Sequence, residues 1–274
     1  MTKGPHIAVI GLVGKSMFFD VPRFHSGGET IHATGFYEEW GGKGFNQAIA
    51  AARQDASVSF LGAVSSSDVK PLKEFCSKEG VRAVLAAKKN ATASAAILTD
   101  GTGETRVTVY AGAELAPKDV DGFAGAIATA DVLLLNNEVP EAVNLAAVEL
   151  AVKYGVKILF NPAPARKQPV AIRDAVSVWT PNEFEEAALG DVQGEVVTTL
   201  GSKGCRIRST GGTIPAAPCE RVVDTTGAGD TFSGVFAVRL AERESLRDAC
   251  VAANAAAAKC VSTRYVMPSI PRCH

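Results

Sequence analysis

DVLLLNNEVPEAVNLAAVELAVKYGVKILF, residues 131–160, sets the fold class. Val132–Leu135 is a short, wholly apolar run. Glu141–Lys153 has the length of a helix, and Lys157–Phe160 is a second apolar run. Buried strand, helix, buried strand is the unit of a parallel sheet with helices on its faces. The same alternation extends outward. Ile7–Gly11, Val58–Leu61, Val176–Trp179 and Val196–Leu200 read as further buried strands. Gly44–Arg53, Pro71–Lys78 and Pro117–Ala128 read as helices, and the alanine-rich Gly227–Ala241 and Ser245–Val261 as packed helices near the end. Only 16 residues separate Trp179 from Val196, close to the minimum for a crossover. The expectation is an α/β protein whose mainly parallel central sheet is covered on both faces.

Two stretches break the alternation. Val21–Trp40 contains Thr30–Phe36, which is weakly strand-like. Ala93–Leu98 and Thr105–Tyr110 flank a turn at Asp100-Gly101-Thr102-Gly103, and together read as a hairpin. These strands are too few for a second domain. They are expected to form a small β lid, drawn from about 13–40 and 91–111, on one domain spanning 1–274. Exposed strand edges seek partners, so a lid-to-lid homodimer is the expected assembly.

Composition removes several classes. Of 274 residues, 28 are Lys or Arg and 29 are Asp or Glu, a net charge of −1, which excludes nucleic-acid binding through bulk positive charge. A hydrophobic share of 47% excludes an acidic disordered chain. No apolar run reaches the ~18 residues that span a bilayer, so no membrane partner is expected. The apolar run Ile7–Ile10 is too short for a signal-peptide core, and a cytoplasmic protein is expected. The six cysteines include no Cys-x-x-Cys pair, and the four histidines are scattered. Neither a zinc site, a disulfide framework nor a histidine-based site is expected.

The strongest local signal is Asp224-Thr225-Thr226-Gly227-Ala228-Gly229-Asp230-Thr231-Phe232-Ser233-Gly234. Glycines at a helix start leave free N–H groups that form an anion site with a favourable dipole. Asp230 sits inside that site, where a carboxylate is a poor phosphate binder but a good proton acceptor. It could deprotonate a hydroxyl that attacks a phosphoryl group held by those N–H groups. Gly229 is expected to need either a positive φ or close approach to that phosphate. A glycine cap before an ordinary helix is the plainer alternative.

Gly41-Gly42-Lys43-Gly44-Phe45-Asn46-Gln47 is the second signal, again suggesting an N–H cradle before a helix. Asn46 offers a donor and an acceptor, which suits sugar hydroxyls, and Lys43 could face a phosphate or a hydroxyl-rich ligand. A tight loop is the alternative here. Gly11-Leu12-Val13-Gly14-Lys15-Ser16 ends like a P-loop, but the required first glycine position is Val9. The same residue spoils a dinucleotide fingerprint. Asn136-Asn137-Glu138, Asn161–Arg166, Thr180–Glu185 and Thr199–Gly204 each follow a strand, placing polar and glycine-rich loops on one rim of the sheet.

Together, Gly41–Gln47 and Asp224–Gly234 resemble the two signature segments of the PfkB carbohydrate kinases, the ribokinase-like superfamily. The likeness continues in order through Gly28-Glu29-Thr30, Asn161–Arg166, Thr180–Glu185 and Thr199–Gly204. It implies a ribokinase-like three-layer α/β fold with a β lid, and transfer of the ATP γ-phosphoryl group to a sugar-type alcohol. By that resemblance Asp230 is the catalytic base, and Gly227, Ala228 and Gly229 form the anion hole. Gly42, Lys43, Gly44 and Asn46 hold the sugar, with Glu138 nearby. Asn182 and the loop of Thr199, Gly201, Ser202 and Gly204 face ATP, and Asn254 lies beside the adenine. Glu185 organises Mg²⁺ through water. Asp224 and Thr226, with Ser269 opposite, match part of a monovalent-cation loop for K⁺.

The departures are also specific. Ser16 stands where the family has an acidic grip on sugar hydroxyls, and Asp20 is four residues late. Tyr265 replaces a usual glycine, and the stretch between Glu185 and Thr199 is shorter than is usual in the family. The acceptor is left open among ribose, another pentose or ketose, a sugar phosphate and a nucleoside. A non-catalytic ligand-binding or regulatory protein on the same fold is the rival. Ser16 and the shortened nucleotide side favour the rival; the intact Asp230 and its glycines count against it.

Overall fold

Ile7 and Val9 turn one way from the first strand and Ala8 and Ile10 the other, and each pair enters a different hydrophobic cluster. That split follows from the period of two along a strand. It makes the sheet the middle of three layers. The computed structural model describes residues 4–273.

The chain runs β1 (His6–Ile10), β2 (Gly14–Asp20), β3 (Gly35–Gly41), α1 (Lys43–Ala52), β4 (Ser57–Ser65), α2 (Val69–Lys78) and β5 (Val81–Lys88). Next come β6 (Ala93–Thr99), β7 (Thr105–Tyr110), α3 (Pro117–Asp121), α4 (Ala124–Ala128), β8 (Val132–Asn136), α5 (Glu141–Tyr154) and β9 (Lys157–Asn161). The rest is α6 (Val170–Ala175), β10 (Val178–Trp179), α7 (Glu183–Leu189), β11 (Glu195–Thr199), β12 (Cys205–Ile207), β13 (Thr213–Ile214), α8 (Ala228–Ala241), α9 (Leu246–Cys260) and α10 (Val266–Ser269).

The large sheet has nine strands in the order β13-β12-β11-β10-β9-β8-β1-β4-β5. From β11 to β5 every neighbour is parallel; β12 and β13 add an antiparallel edge. One face packs under α1, α2, α8 and α9, and the other under α3 to α6. This is the expected mainly parallel α/β architecture, formed because strands apolar on both faces must be covered twice.

A second sheet, β3-β2-β6-β7, contains the expected hairpin. The other strands there depart from expectation. The strand expected at 30–36 runs instead over Gly35–Gly41, and β2 had no signal. β2 reads Gly-Lys-Ser-Met-Phe-Phe-Asp and is half-buried over most of its length, so no continuous apolar run marks it. β5, an edge strand of intermediate exposure, is silent for the same reason. The helix expected at 117–128 is two short helices, with Gly122 ending the first and Phe123 turned into the core.

Candidate active site

The loops after β1, β8, β9, β10 and β11 meet at the carboxyl ends of the parallel strands, where open α/β sheets hold ligands. Helices α1, α7 and α8 begin there. Gly227 caps α8 with φ 80, the left-handed region that favours glycine. A Cβ on Gly227 would also lie 2.6 Å from Val266 Cγ1. The first turn of a helix leaves N–H groups without intrahelical acceptors. The Ala228 N–H turns back to the Thr225 carbonyl at 3.3 Å, while Gly229 and Asp230 line an open cavity. Gly229 does not have a positive φ, and a Cβ there would meet nothing within 4 Å. Of the two expectations for Gly229, the positive φ is overturned.

Asp230 is 6% exposed at the start of α8. Gly234, one turn further along, lets α8 approach α1, because a Cβ there would fall 2.5 Å from the Gln47 carbonyl oxygen. That approach delivers two amides to the carboxylate. Asn46 Nδ2 donates to Asp230 Oδ2 at 2.9 Å, and Gln47 Nε2 to Oδ1 at 3.3 Å. Gln47 Nε2 also reaches Asn161 Oδ1 at 3.1 Å, and Asn161 Nδ2 donates to the Thr180 carbonyl at 2.7 Å. The buried Asn46 Oδ1 has no protein partner and can accept from a hydroxyl.

Burial pushes the Asp230 carboxyl above the ordinary carboxylate range, opposed first by the Lys43 charge and then by the Asn46 and Gln47 hydrogen bonds. Lys43 is raised in turn, chiefly by the Asp230 charge against its own burial, with Glu138 and Glu185 adding. Glu138 accepts the Lys43 backbone N–H at 2.6 Å. Burial first, and the Asp230 charge second, push Glu138 up to about 7. One cation among three carboxylates therefore opposes the burial that raises Asp230, without outweighing it.

Lys43, Asn161, Ala163, Thr180, Asn182, Glu185, Thr199, Thr225, Thr226, Gly227, Gly229 and Asp230 line a cavity of about 310 Å³. Asn182 and Glu185 form a capping box at the start of α7, each side chain accepting the other's backbone N–H at 2.8 and 2.9 Å. Beyond Thr199 the chain makes a tight turn through Gly201, Ser202 and Gly204, with the Leu200 N–H on the Gly204 carbonyl at 2.7 Å. Ser16 lies at the foot of the Gly41–Lys43 turn, since a Cβ on Gly41 would fall 2.6 Å from Ser16 Oγ.

One expectation needs correction. The Gly42–Gly44 stretch is not an open N–H cradle: Glu138 takes the Lys43 N–H, and Leu12 takes that of Phe45 at 3.3 Å. Gly42 and Gly44 instead pack against the backbones of Leu12 and Gly11. The Asn254 amide donates to the Ile214 and Pro215 carbonyls at 3.2 and 3.1 Å. Asp20 pairs with Arg264. Lys15, of the P-loop lookalike, lies on a strand and pairs with Asp68 at 2.8 Å. Gln47, Asn161 and Thr180 join the site although the sequence assigned them no role. Gln47 had a usable signal, since it is four residues after Lys43 and so shares its helix face.

The Asp224 carboxylate accepts the Thr226 and Tyr265 N–H groups at 2.9 and 3.3 Å. Ser269 Oγ donates to the Val266 carbonyl at 2.9 Å and lies 3.1 Å from Cys260 Sγ, which is 3.9 Å from the Thr226 carbonyl oxygen. Tyr265 holds φ 67 and ψ 161, a conformation that costs a residue with a side chain about 1–3 kcal/mol. The loop thus keeps the backbone path that a glycine would give it. Among the described residues no group of three or more His, Cys, Asp or Glu could hold a metal ion by itself. No described helix is long and apolar enough to cross a membrane.

The pattern of the pfkB family carbohydrate kinases matches residues 5–273. A ribokinase of Haemophilus influenzae is 32% identical over 291 residues, covering 97% of this chain and 95% of that enzyme. Among solved structures, Arabidopsis thaliana ribokinase complexed with ribose and ATP superposes with a TM-score of 0.88 at 25% identity, covering 99% of this chain and 96% of that one. Ribokinase from Thermotoga maritima gives 0.86 at 29% identity, covering 97% and 96%.

Proposed function

The chain belongs to the pfkB carbohydrate kinases, and from that membership we propose how its residues divide the work of phosphorylating a sugar-type hydroxyl with ATP. One observation carries the reading: the buried Asp230 carboxylate, the start of α8, Lys43, Glu185, Asn182 and Thr199 share a single cavity. The acceptor sits at the Asn46, Lys43 and Ser16 end, with Asn46 Oδ1 accepting a hydrogen bond from one of its hydroxyls. Gly42, Gly44 and Glu138 fix the turn that presents Lys43. Asp230 takes the proton of the attacking hydroxyl as its oxygen bonds to the γ-phosphorus and the bond to the ADP oxygen breaks. N–H groups at the start of α8, with Lys43, stabilise charge on the transferring group. Asn182, Thr199 and the 201–204 turn face the nucleotide, and Asn254 braces the segment at Ile214 behind it.

A hard dication fits the donor chemistry. Glu185 brings one carboxylate into the cavity, and Mg²⁺ is commonly held by substrate phosphates, water and one or two carboxylates. Glu185 would hold it, and the ion would neutralise phosphate charge. The 224–226 and 265–269 loops offer a carbonyl and a hydroxyl, donors suited to K⁺ once Cys260 turns away. No step runs through that ion. The whole chain, 1–274, is read as one kinase domain with the four-stranded sheet as its lid, acting in the cytoplasm. Phe36, Val107, Val109 and Tyr110 are more than half exposed on that sheet, which suits a lid-to-lid dimer.

ATP turnover across a panel of pentoses, ketoses, sugar phosphates and nucleosides tests the reading. Phosphorylation of at least one sugar, slowed by ~10²–10⁴ in Asp230→Asn, is expected. ATP binding without turnover of any compound would overturn it in favour of the ligand-binding rival.

A further inference from the structure

The lid is attached to the large sheet at one end only. Gly14, Gly41, Ala93 and Tyr110 are the points where its chain enters or leaves, and the strand register places all four at the same edge. The opposite edge, at Asp20, Gly35, Thr99 and Thr105, has no such chain connection to the large sheet. A flap of this form needs a second tie to have a defined position.

The tie is built around Tyr265. Its backbone dihedrals suit glycine, and a side chain persists in that region only where its surroundings over-determine it. Here the surroundings belong to the lid. The Tyr265 ring stacks on Tyr37 of β3, with 4.1 Å between centroids and planes 24° apart. It meets Phe18 of β2 edge-on at 5.0 Å. Arg264 lies over the same ring at 4.8 Å and pairs with Asp20 at the far end of β2. Glu39 of β3 accepts the N–H groups of Val266 and Met267, each at 2.9 Å. The same segment touches the α8 start: Asp224 accepts the Tyr265 N–H, and Val266 packs against Gly227. The Arg264–Asp20 pair is exposed enough to contribute little. The stacked rings are the main contact toward the free end.

We propose that Tyr265 is a positioning residue: by clamping the free end of the lid to the α8 start it stops the sheet pivoting about its attached end, where Ser16 and Gly41 lie, and so fixes the orientation of the Ser16 hydroxyl at the Gly41–Lys43 turn. Acceptor affinity then depends on a ring that touches neither substrate. The proposal rests on the assignment of Asp230 and Ser16 to the kinase site.

Tyr265→Gly is the informative variant, because it removes the ring and relieves the backbone together, leaving the melting temperature within a few degrees. Hydrogen exchange of the ligand-free protein should quicken about tenfold over Phe18–Asp20 and Gly35–Tyr37. The KM for D-ribose should rise about tenfold, with the KM for ATP within twofold. Tyr265→Phe keeps the stack and should restore both. Exchange and ribose KM both within twofold of wild type in Tyr265→Gly would overturn the proposal, as would faster exchange with an unchanged KM. A wild-type protein that phosphorylates nothing, while exchange in Tyr265→Gly still quickens, would sink the kinase reading and leave the clamp standing.

Discussion

Asn46 donates its side-chain amide to the Asp230 carboxylate at 2.9 Å, across 184 positions of sequence. This bond joins the two helix starts that carry the signature segments. It leaves Asn46 Oδ1 as a buried acceptor beside the base. Acceptor binding and proton removal are thereby placed on neighbouring atoms.

Asp230→Asn preserves shape but cannot take a proton. Turnover should fall by ~10²–10⁴, the usual cost of losing a general base. Nucleotide affinity, measured by calorimetry, should stay within a few-fold, because the backbone N–H groups remain. Near-wild-type kcat would remove Asp230 from the chemistry.

Two glycines in one loop should fail differently. Gly227→Ala forces a side chain into the left-handed region and against Val266, costing at least about 1–2 kcal/mol of stability. Gly229→Ala meets only open space, so its melting temperature should stay within a few degrees. If the loop holds the reacting phosphate, that methyl group displaces it, and kcat should drop ~10²–10³. Parallel losses of stability and activity in Gly229→Ala would favour a plain helix cap.

Gln47→Met keeps volume and withdraws a donor from the Asp230 carboxylate. A donor to the charged form lowers an acid's pKa, so its loss raises it. The acid limb of the kcat/KM profile should move upward by about half to one pH unit, the equivalent of one ordinary hydrogen bond. An unmoved acid limb would show that Gln47 does not tune the base.

Glu138 gives a stability test. Its folded pKa, about 7, exceeds the ordinary 4.5, so the native state binds more protons than the unfolded chain between those values. Stability from this group is fully present below about pH 4.5 and is lost as pH rises towards 7, on the order of 3 kcal/mol. Denaturant unfolding of Glu138→Gln from pH 4.5 to 8 should show a shallower fall than wild type. Identical pH profiles would mean that Glu138 titrates normally.

Ser16 supplies a hydroxyl beside Gly41, at the position where the resemblance implies an acidic grip on the sugar. A charge-assisted bond is worth about 1.5–3 kcal/mol, so D-ribose should bind poorly and Ser16→Asp should lower its KM at least about tenfold. A low-micromolar ribose KM in the wild-type protein would show that another residue makes the contact.

What could be read along the chain was whatever depends on near neighbours. Val132–Leu135 and Lys157–Phe160 announce buried strands because both their faces are apolar, and the Gly227–Asp230 segment announces a helix start because its glycines and acid lie within one turn. The parallel sheet, the hairpin and the two signature helices followed. β2 was silent because a half-buried strand carries no continuous apolar run. Gln47 lay inside a quoted motif without a role, since an amide's partner is set by what packs against it.

The sequence by itself determined the layered α/β architecture, the loops at the sheet's rim and the acid at the α8 start, all consequences of local periodicity and backbone sterics. Only the tertiary structure decided that Asn46 and Gln47 hold Asp230, that Glu138 rather than a ligand takes the Lys43 N–H, and that Tyr265 stacks on Tyr37. Those pairs are separated by 95 to 228 residues. Their chemistry comes from burial and charge at contacts that form only when helices and sheets pack, and no short-range pattern encodes them.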